Sequence, residues 1–351
     1  MASGSKAVES KTEDALVVAA ARAGDESAFG ALVERYRREL QVHCYRMLGS
    51  FEDSEDLVQE TFLRAWRKRE SFEGRSTFRA WLYRIATNAC LDFLDRHPRH
   101  PLPRQMMPTP DAQVSVLPPA EIPWLQPYPD RLLEPIAPSD AEPDAALVAK
   151  ETIELAFLAA IQHLPPRQRA VVILRDVLGW SANETAALLE VSVASVKSAL
   201  QRARPTLKQH LPKQRLDWAP SLEPTAEERT LLQRYMDAHE RADIHTLAEL
   251  LREDALLTMP PHPMWFAGRV SIMAFTADVF DPASPFYHGH WRSLPTRANR
   301  QPAAAHYVQR PGDSTYRAQV LDVLRIEDGK VAEITAFVPE LFPAFGLPLT
   351  L

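Results

Sequence analysis

One stretch of sequence decides the fold: residues 56–66 read DLVQETFLRAW, and residues 72–88 read FEGRSTFRAWLYRIATN. In the first part, apolar side chains recur every three or four residues, which predicts a helix with one buried face. The second part predicts a short loop with an exposed aromatic residue, Phe72, and a tight turn at Gly74. A long helix is expected to follow from Thr77.

One seam of this long helix mixes aromatic, basic and amide side chains. Its members are Thr77, Trp81, Arg84, Asn88 and Asp92. Basic groups bind phosphates, aromatic rings stack on unpaired bases and amides hydrogen bond to base edges, so the mixture favours single-stranded DNA. The alternative is an ordinary helix whose Trp81 packs in the core and whose charges are solvated.

Taken together, the two parts closely resemble the second conserved region of extracytoplasmic-function sigma factors, over residues 21–96. In that family the first helix binds the clamp helices of the RNA polymerase β′ subunit. The loop and the second helix melt the promoter −10 element and hold a flipped base. The resemblance implies polymerase contact by Asp56, Gln59, Glu60 and Arg64. It implies −10 contact by Phe72, Arg75, Thr77, Trp81, Arg84 and Asn88.

A second helical block covers residues 145–212. Ser181 and Glu184 form a capping-box pattern that predicts a helix to about Leu189, and Ser192 is expected to cap the next helix. That next helix has an apolar seam and a small, basic outer face. Two short helices with such a face predict a helix-turn-helix. A plain packing hairpin is the alternative.

Residues 192–204, SVASVKSALQRAR, resemble the fourth region of the same family, which reads the −35 element in the major groove. The resemblance implies DNA contact by Ser195, Lys197, Ser198, Gln201 and Arg202. Glu190 occupies a turn position that often holds glycine, where a left-handed residue costs about 1–2 kcal/mol. Pro205 is expected to end or kink the recognition helix early.

A proline-rich segment separates the two helical blocks. Residues 98–144 contain 13 of the 30 prolines. Proline removes an amide donor and disfavours helix before it, so this segment is predicted to be an extended, semi-rigid linker. Its Trp124, Leu125 and Tyr128 are expected to dock on another surface. The chain thus divides into residues 14–97, this linker, residues 145–212 and residues 222–351.

The last block, residues 222–351, starts with two helical stretches and then shows the alternation of strands. Hairpin signals occur at Gly312-Asp313 and Asp328-Gly329. Helices followed by a curved antiparallel sheet predict an α+β cone around a cavity. The element order and residues 325–334, RIEDGKVAEI, resemble a SnoaL-like domain of the nuclear-transport-factor superfamily, and sigma factors carrying this extra domain form a known group.

Some members of that superfamily are cyclases or isomerases with a pocket Asp or His. Candidate pocket residues here are His262, Trp265, Trp291, His306 and Asp322. Each has a structural alternative, since aromatic rings fill cores and Asp322 could lie at a strand end. A general acid or base needs a positioned partner, and no spacing identifies one. Regulation or ligand sensing is therefore favoured over catalysis.

The charge distribution further narrows the possible classes of function. The net charge of −6 argues weakly against nucleic-acid binding, but residues 61–99 contain nine Lys or Arg against four acids, and residues 165–212 contain seven against three. Charge acts locally because screening limits its reach to about 10 Å.

Cys44 and Cys90 are expected to be small buried hydrophobes, and a redox pair only if the fold brings them together. The chain shows no apolar membrane span and no signal peptide, so a cytoplasmic location is expected.

The predicted protein is multidomain, with two all-α sigma domains, the second a helix-turn-helix, and an α+β SnoaL-like cone domain. The resemblance implies core RNA polymerase, through its β′ clamp and β flap, and promoter DNA as partners. It implies no enzymatic activity, cofactor or metal. An anti-sigma factor or a small-molecule ligand stays open as a further partner. The alternative function is a SnoaL-like isomerase or cyclase fused to a DNA-binding module.

Overall fold

The computed structural model describes residues 15–74, 76–99, 122–133, 153–211, 225–262 and 264–351. These residues fall into two compact units. The first unit contains the residues up to Arg99 and residues 160–209, and the second contains residues 122–133, 153–159 and the chain from residue 210 on. No helix among the described residues has the length and apolar character needed to cross a membrane.

After a helical stretch over residues 15–22, the first half of the first unit contains α1 (Glu26–Leu48), α2 (Phe51–Arg67) and α3 (Phe78–Arg96). The Thr77 side chain accepts a hydrogen bond from the backbone N–H of Ala80 at 3.1 Å, so α3 begins where the sequence predicts. The apolar stripe of α2 is buried as expected, including Leu57, Val58 and Phe62. Gly74 has a φ of 72°, which confirms the tight turn before α3.

Four helices follow in the second helical block: α4 (Leu155–Gln162), α5 (Pro166–Val172), α6 (Ala182–Leu189) and α7 (Val193–His210). Helix α4 crosses the boundary between the two units, and a π-helical turn, Ile173–Val177, extends α5. Ser181 and Glu184 form the predicted capping box. Glu190 has a φ of 54° in the turn, and α6, this turn and α7 form the predicted helix-turn-helix.

Of the two alternatives expected at Pro205, an early end of the recognition helix is wrong. Helix α7 continues to His210, five residues past the proline. A proline inside a helix removes one backbone hydrogen bond to the preceding turn. In the same turn the Thr206 hydroxyl donates to the Arg202 oxygen at 3.4 Å.

The two halves of the first unit share one core. Arg169, from the second block, is fully buried and donates to the backbone oxygen of Met47, to the side chain and backbone of Gln162, and to the Leu164 oxygen. These acceptors satisfy most of the five guanidinium donors. Burial lowers the pKa of Arg169 to about 9, which leaves it charged at neutral pH. The fold also places the buried Cys44 and Cys90 side chains beside each other, and burial raises the pKa of Cys90, with Cys44 as a further cause.

The second unit contains one six-stranded sheet with helices on one side. The helices are α8 (Ala226–Glu240), α9 (Ile244–Leu250) and α10 (Arg269–Phe280). The strands are β1 (Leu251–Thr258), β2 (Trp265–Ala267), β3 (His290–Ala298), β4 (Gln301–Gln309), β5 (Arg317–Glu327) and β6 (Lys330–Phe337). A short 3₁₀ helix, Pro339–Phe345, follows.

The sheet is mixed, which corrects the expectation of an antiparallel one. Its order is β2-β1-β6-β5-β4-β3, and β1 pairs with β6 in parallel while the other neighbours are antiparallel. The turn at Asp328 and Gly329 confirms one predicted hairpin, with φ values of 51° and 70°. A second two-residue turn, Asn299-Arg300, joins β3 to β4 with positive φ at both residues.

Candidate functional site

The exposed face of α2 carries the residues assigned to polymerase contact. Asp56 and Gln59 are exposed, and Glu60 and Arg64 are partly exposed. Arg64 donates to Glu60 at 2.7 Å and to Asp92 of α3 at 3.0 Å, so its guanidinium is held between two carboxylates. The face therefore presents alternating charge on a helix whose other side is core.

An aromatic cluster replaces the exposed aromatic loop that the sequence predicts. Phe72 is buried, because its ring packs 5.5 Å from Phe78 and 5.3 Å from Trp81, measured between centroids. Trp81 is only 4% exposed, so it also packs in the core. Thr77 and Asn88 are exposed and Arg84 is partly exposed on the same helix. Arg75 lies outside the described residues.

A groove within the first unit brings the α3 face against the second helical block. Thr77, Trp81 and Arg84 line it from α3, and Trp180, Asn183 and neighbours line it from the loop before α6 and from α6 itself. Its volume is about 970 Å³. The Trp180 ring lies 5.3 Å from Tyr83, and a carboxylate oxygen of Glu190 lies 4.0 Å from Arg84. Part of the face assigned to the −10 strand thus faces the helix-turn-helix in this conformation.

The outer face of α7 is open and basic. Ser195, Lys197, Gln201 and Arg202 are exposed and Ser198 is half-buried, whereas Val196, Leu200 and Ala203 are buried. The Ser192 hydroxyl accepts from the backbone N–H of Ser195 at 3.1 Å and so caps the helix. Arg202 donates to Ser198 at 2.6 Å. The cap and this contact order the side chains that the sequence assigns to −35 recognition.

A mainly apolar cavity of about 110 Å³ lies in the second unit, between the sheet and helices α8, α9 and α10. Its lining includes Tyr235, His239, His288, Trp291 and Asp322 among aliphatic, aromatic and methionine side chains. Asp322 is in the middle of β5 and not at its end. It shares a face with Val320, as the strand alternation predicts.

Polar side chains form a connected cluster at one wall of this cavity. The Tyr235 hydroxyl donates to Asp322 Oδ2 at 2.7 Å, and His306 Nε2 lies 3.3 Å from the same oxygen without the alignment of a hydrogen bond. Ser293 Oγ lies 2.8 Å from His306 Nδ1. The His239 ring stacks on His306 at 4.1 Å. Burial raises the pKa of Tyr235, with Asp322 beside it, and burial lowers the pKa of His239, with His306 beside it.

The candidate pocket residues have three different placements. Trp291 and Asp322 line the cavity, and His306 stands behind its wall in contact with Asp322. His262 is exposed in the turn between β1 and β2, and Trp265 is buried but is not among the lining residues, so these two lie outside the site. Sequence reasoning missed Tyr235 and His239, although their spacing of four residues on one helix face is a usable signal.

Part of the proline-rich linker packs on the sheet of the second unit, as its aromatic residues suggest. Tyr128 is fully buried, and its backbone N–H donates to the Asn299 side chain at 2.7 Å. The Asn299 backbone N–H donates back to the Tyr128 oxygen at 2.9 Å. Asp130 accepts from the backbone of Arg300 at 2.7 Å. The Asn299 amide also donates to the Ile153 oxygen at 2.6 Å, so the β3–β4 turn holds two separate parts of the chain.

Three family models match the chain. Residues 32–100 match Sigma-70 region 2, residues 154–207 match Sigma-70 region 4, and residues 232–334 match a SnoaL-like domain. These matches fall on the α1–α3 bundle, on α4–α7 and on the cavity-bearing unit, respectively.

The chain is 43% identical over 329 residues to the ECF RNA polymerase sigma factor SigG of Mycobacterium tuberculosis, covering 93% of this chain and 85% of that protein. It is 32% identical over 188 residues to SigW of Bacillus subtilis, covering 54% of this chain and 91% of that protein. The fold is similar to the crystal structure of M. tuberculosis SigJ, with a TM-score of 0.56, 22% identity and coverage of 91% and 99%. The chain therefore belongs to the family of ECF RNA polymerase sigma factors.

Proposed function

We propose that the chain binds core RNA polymerase and directs it to promoters, where it opens DNA and starts transcription. The observation that carries this function is that the chain contains both Sigma-70 region 2 and Sigma-70 region 4. The faces assigned to polymerase and to the −35 element lie on the exposed sides of α2 and α7. The face that we assign to polymerase is the side of α2 on which Asp56 and Gln59 are exposed and Glu60 and Arg64 are partly exposed. The open, basic face of α7 contacts the −35 duplex in the major groove.

Capture of the −10 strand requires a rearrangement inside the first unit. Thr77, Trp81 and Arg84 face the helix-turn-helix across the groove, so a DNA strand that runs along this face needs that hairpin to move away. Binding to polymerase supplies the free energy for this opening if polymerase prefers the open form. The isolated chain should therefore have low affinity for promoter DNA, and the affinity of the complex should fall steeply with salt, because phosphate contacts release counterions.

The C-terminal unit regulates this activity and does not catalyse a reaction. Support comes from its contacts with residues 122–133 of the linker, which connect its conformation to the segment between the two sigma regions. A ligand in the cavity can shift such an equilibrium only by its different affinities for the two states. The alternative, an isomerase or cyclase, is favoured by the position of Asp322 in the cavity wall.

Transcription in vitro with core polymerase tests the proposal. The full chain should give promoter-specific transcripts, and Lys197→Ala and Arg202→Ala should each weaken promoter binding by about 1–3 kcal/mol. Lys330→Ala, a change of an equally exposed lysine in the second unit, is the matched control and should have no effect. Transcription that does not depend on the promoter sequence would contradict the assignment. An equal loss of promoter binding in all three variants would also contradict it.

Asp322→Asn tests whether promoter-directed transcription depends on a base in the cavity wall. The amide keeps the size of the side chain but cannot act as a general base. Promoter-specific transcription should persist in this variant, and only the extent to which the C-terminal unit regulates it should change. Loss of all transcription, with polymerase binding and folding intact, would contradict a purely regulatory role for this residue.

A further inference from the structure

The cavity of the second unit has a size and lining that fit a small organic molecule. Its volume of about 110 Å³ is somewhat below the ~150 Å³ cavity that binds benzene in an engineered protein. Leu247, Met273 and Phe280 are among the apolar lining residues. A single six-membered ring with a small substituent is therefore the size class that fits.

Three cavity-lining residues, His239, His288 and Trp291, each have a buried polar atom without a hydrogen-bond partner in the described structure. In the described part of the chain, Trp291 Nε1 and His239 Nδ1 are each buried without a hydrogen-bond partner. Both residues line the cavity, and their rings lie 4.8 Å apart. A buried donor without an acceptor is destabilising, so an oxygen that accepts from Trp291 would be stabilised at this wall. His239 can serve the same oxygen as donor or acceptor, depending on its tautomer.

The charges at the cavity favour an uncharged ligand. Among the lining residues that the structure describes there is no Lys or Arg, so an anionic group would find no counter-ion. Burial lowers the pKa of His239 and of half-buried His288, which keeps both rings neutral near pH 7. Asp322 is the lining carboxylate, and one of its oxygens already accepts from Tyr235.

We propose that this cavity binds a small, uncharged, monocyclic compound whose oxygen atom accepts a hydrogen bond from Trp291 Nε1 and contacts His239. The apolar ring of the ligand packs against the aliphatic and aromatic lining. This inference stands apart from the promoter-directed activity, since it concerns a site within the second unit alone.

Phenol and toluene are matched probes, because they differ by a hydroxyl in place of a methyl group. Titration into the full chain labelled with ¹⁵N-tryptophan should shift the Trp291 indole signal strongly with phenol and less with toluene. Trp291→Phe keeps an aromatic ring but removes the N–H. It should weaken phenol binding about 2- to 10-fold, the worth of one hydrogen bond, and leave toluene binding unchanged.

Trp265→Phe is the control, since Trp265 is a buried tryptophan of the same unit outside the cavity lining. It should leave phenol affinity unchanged. Equal affinities for phenol and toluene in the unmodified chain would overturn the polar part of the proposal without recourse to any variant. Tighter binding of benzoate or of benzylammonium than of phenol would overturn the uncharged class. Absence of any phenol response in protein that still directs transcription would overturn the site and leave the proposed function intact.

Discussion

His43 lies between α1 and α3 with no exposed surface, and its Nε2 is 2.9 Å from Thr87 Oγ1. The Thr87 hydroxyl donates to the Tyr83 oxygen at 2.7 Å, so it accepts the Nε2 proton of His43. His43 Nδ1 is buried without a partner in the described structure. Burial, helped by the nearby cations of Arg46 and Arg79, lowers the pKa of His43 to about 3.

This shift predicts that acid destabilises the first unit. In the unfolded chain His43 is protonated below a pKa of about 6.5, whereas in the folded state it stays neutral until about pH 3. The folded state is therefore most stable above pH 6.5, and its free energy of unfolding falls as the pH drops. The residue should account for a loss of about 2 kcal/mol in the free energy of unfolding between pH 6.5 and 5.

Urea unfolding at several pH values measures this loss. His43→Gln cannot titrate but keeps an amide donor for Thr87, so its stability should depend less on pH than that of the unmodified chain. His245→Gln, at an exposed histidine, is the matched control and should keep the full pH dependence. Identical slopes for His43→Gln and the unmodified chain would contradict the prediction.

The turn between α6 and α7 contains an avoidable strain. Glu190 adopts φ 54° and ψ 44°, a left-handed conformation that costs a residue with a Cβ about 1–2 kcal/mol. Its exposed side chain lies 4.0 Å from Arg84, a separation at which an exposed ion pair contributes little. Glu190→Gly should therefore stabilise the helix-turn-helix by about 0.5–1 kcal/mol in urea unfolding. Glu190→Ala, which still has to adopt the left-handed conformation, should show no such gain.

Helix α3 offers one clean test of strand capture. Trp81 belongs to the aromatic core, so Trp81→Ala would cost about 3–5 kcal/mol of stability and confuse folding with DNA opening. Asn88 is exposed, so Asn88→Ala should reduce permanganate reactivity of the −10 region without changing polymerase binding. Gln233→Ala removes an exposed amide from the second unit and should leave opening unchanged. Full reactivity in Asn88→Ala would remove this residue from the strand-capture face.

Local contacts explain why the helices could be predicted. Thr77, Ser181 and Ser192 each cap the helix that follows within three residues, and such contacts are visible in sequence. The parallel pairing of Leu256 with Glu333 depends on residues far apart in the chain, so strand alternation does not reveal it. Phe72 likewise is buried by side chains that only the folded loop brings to it. The cavity was predicted through Asp322 but not through His239, whose ring contacts with Trp291 and His306 come from strands β3 and β4.

At the scale of the whole molecule, the β3–β4 turn of the second unit holds the linker. Asn299 makes side-chain hydrogen bonds to Tyr128 and Ile153 and has a φ of 56°. Asn299→Gly keeps this backbone conformation and removes both side-chain bonds, at a cost of about 1–3 kcal/mol. Proteolysis within residues 122–133 should become about 5- to 100-fold faster if cleavage follows local opening.

Asp328→Gly is the matched control for this experiment. Asp328 has the same left-handed conformation in the β5–β6 turn, but its exposed side chain does not hold the linker. Cleavage of residues 122–133 should keep its original rate in this variant. Equal acceleration in both variants would show that loss of sheet stability, and not release of the linker, exposes the segment.

Attachment of the linker to the sheet also sets how far the two sigma regions can separate along the chain. While Tyr128 and Ile153 are held, the tether from Arg99 to Ile122 contains roughly 23 residues and can reach at most about 80 Å, however it is stretched. Release of the linker lengthens the tether from Arg99 to Ile153 to roughly 54 residues and about 190 Å. Attachment through Asn299 is thus expected to shorten the length of free chain between the two sigma regions.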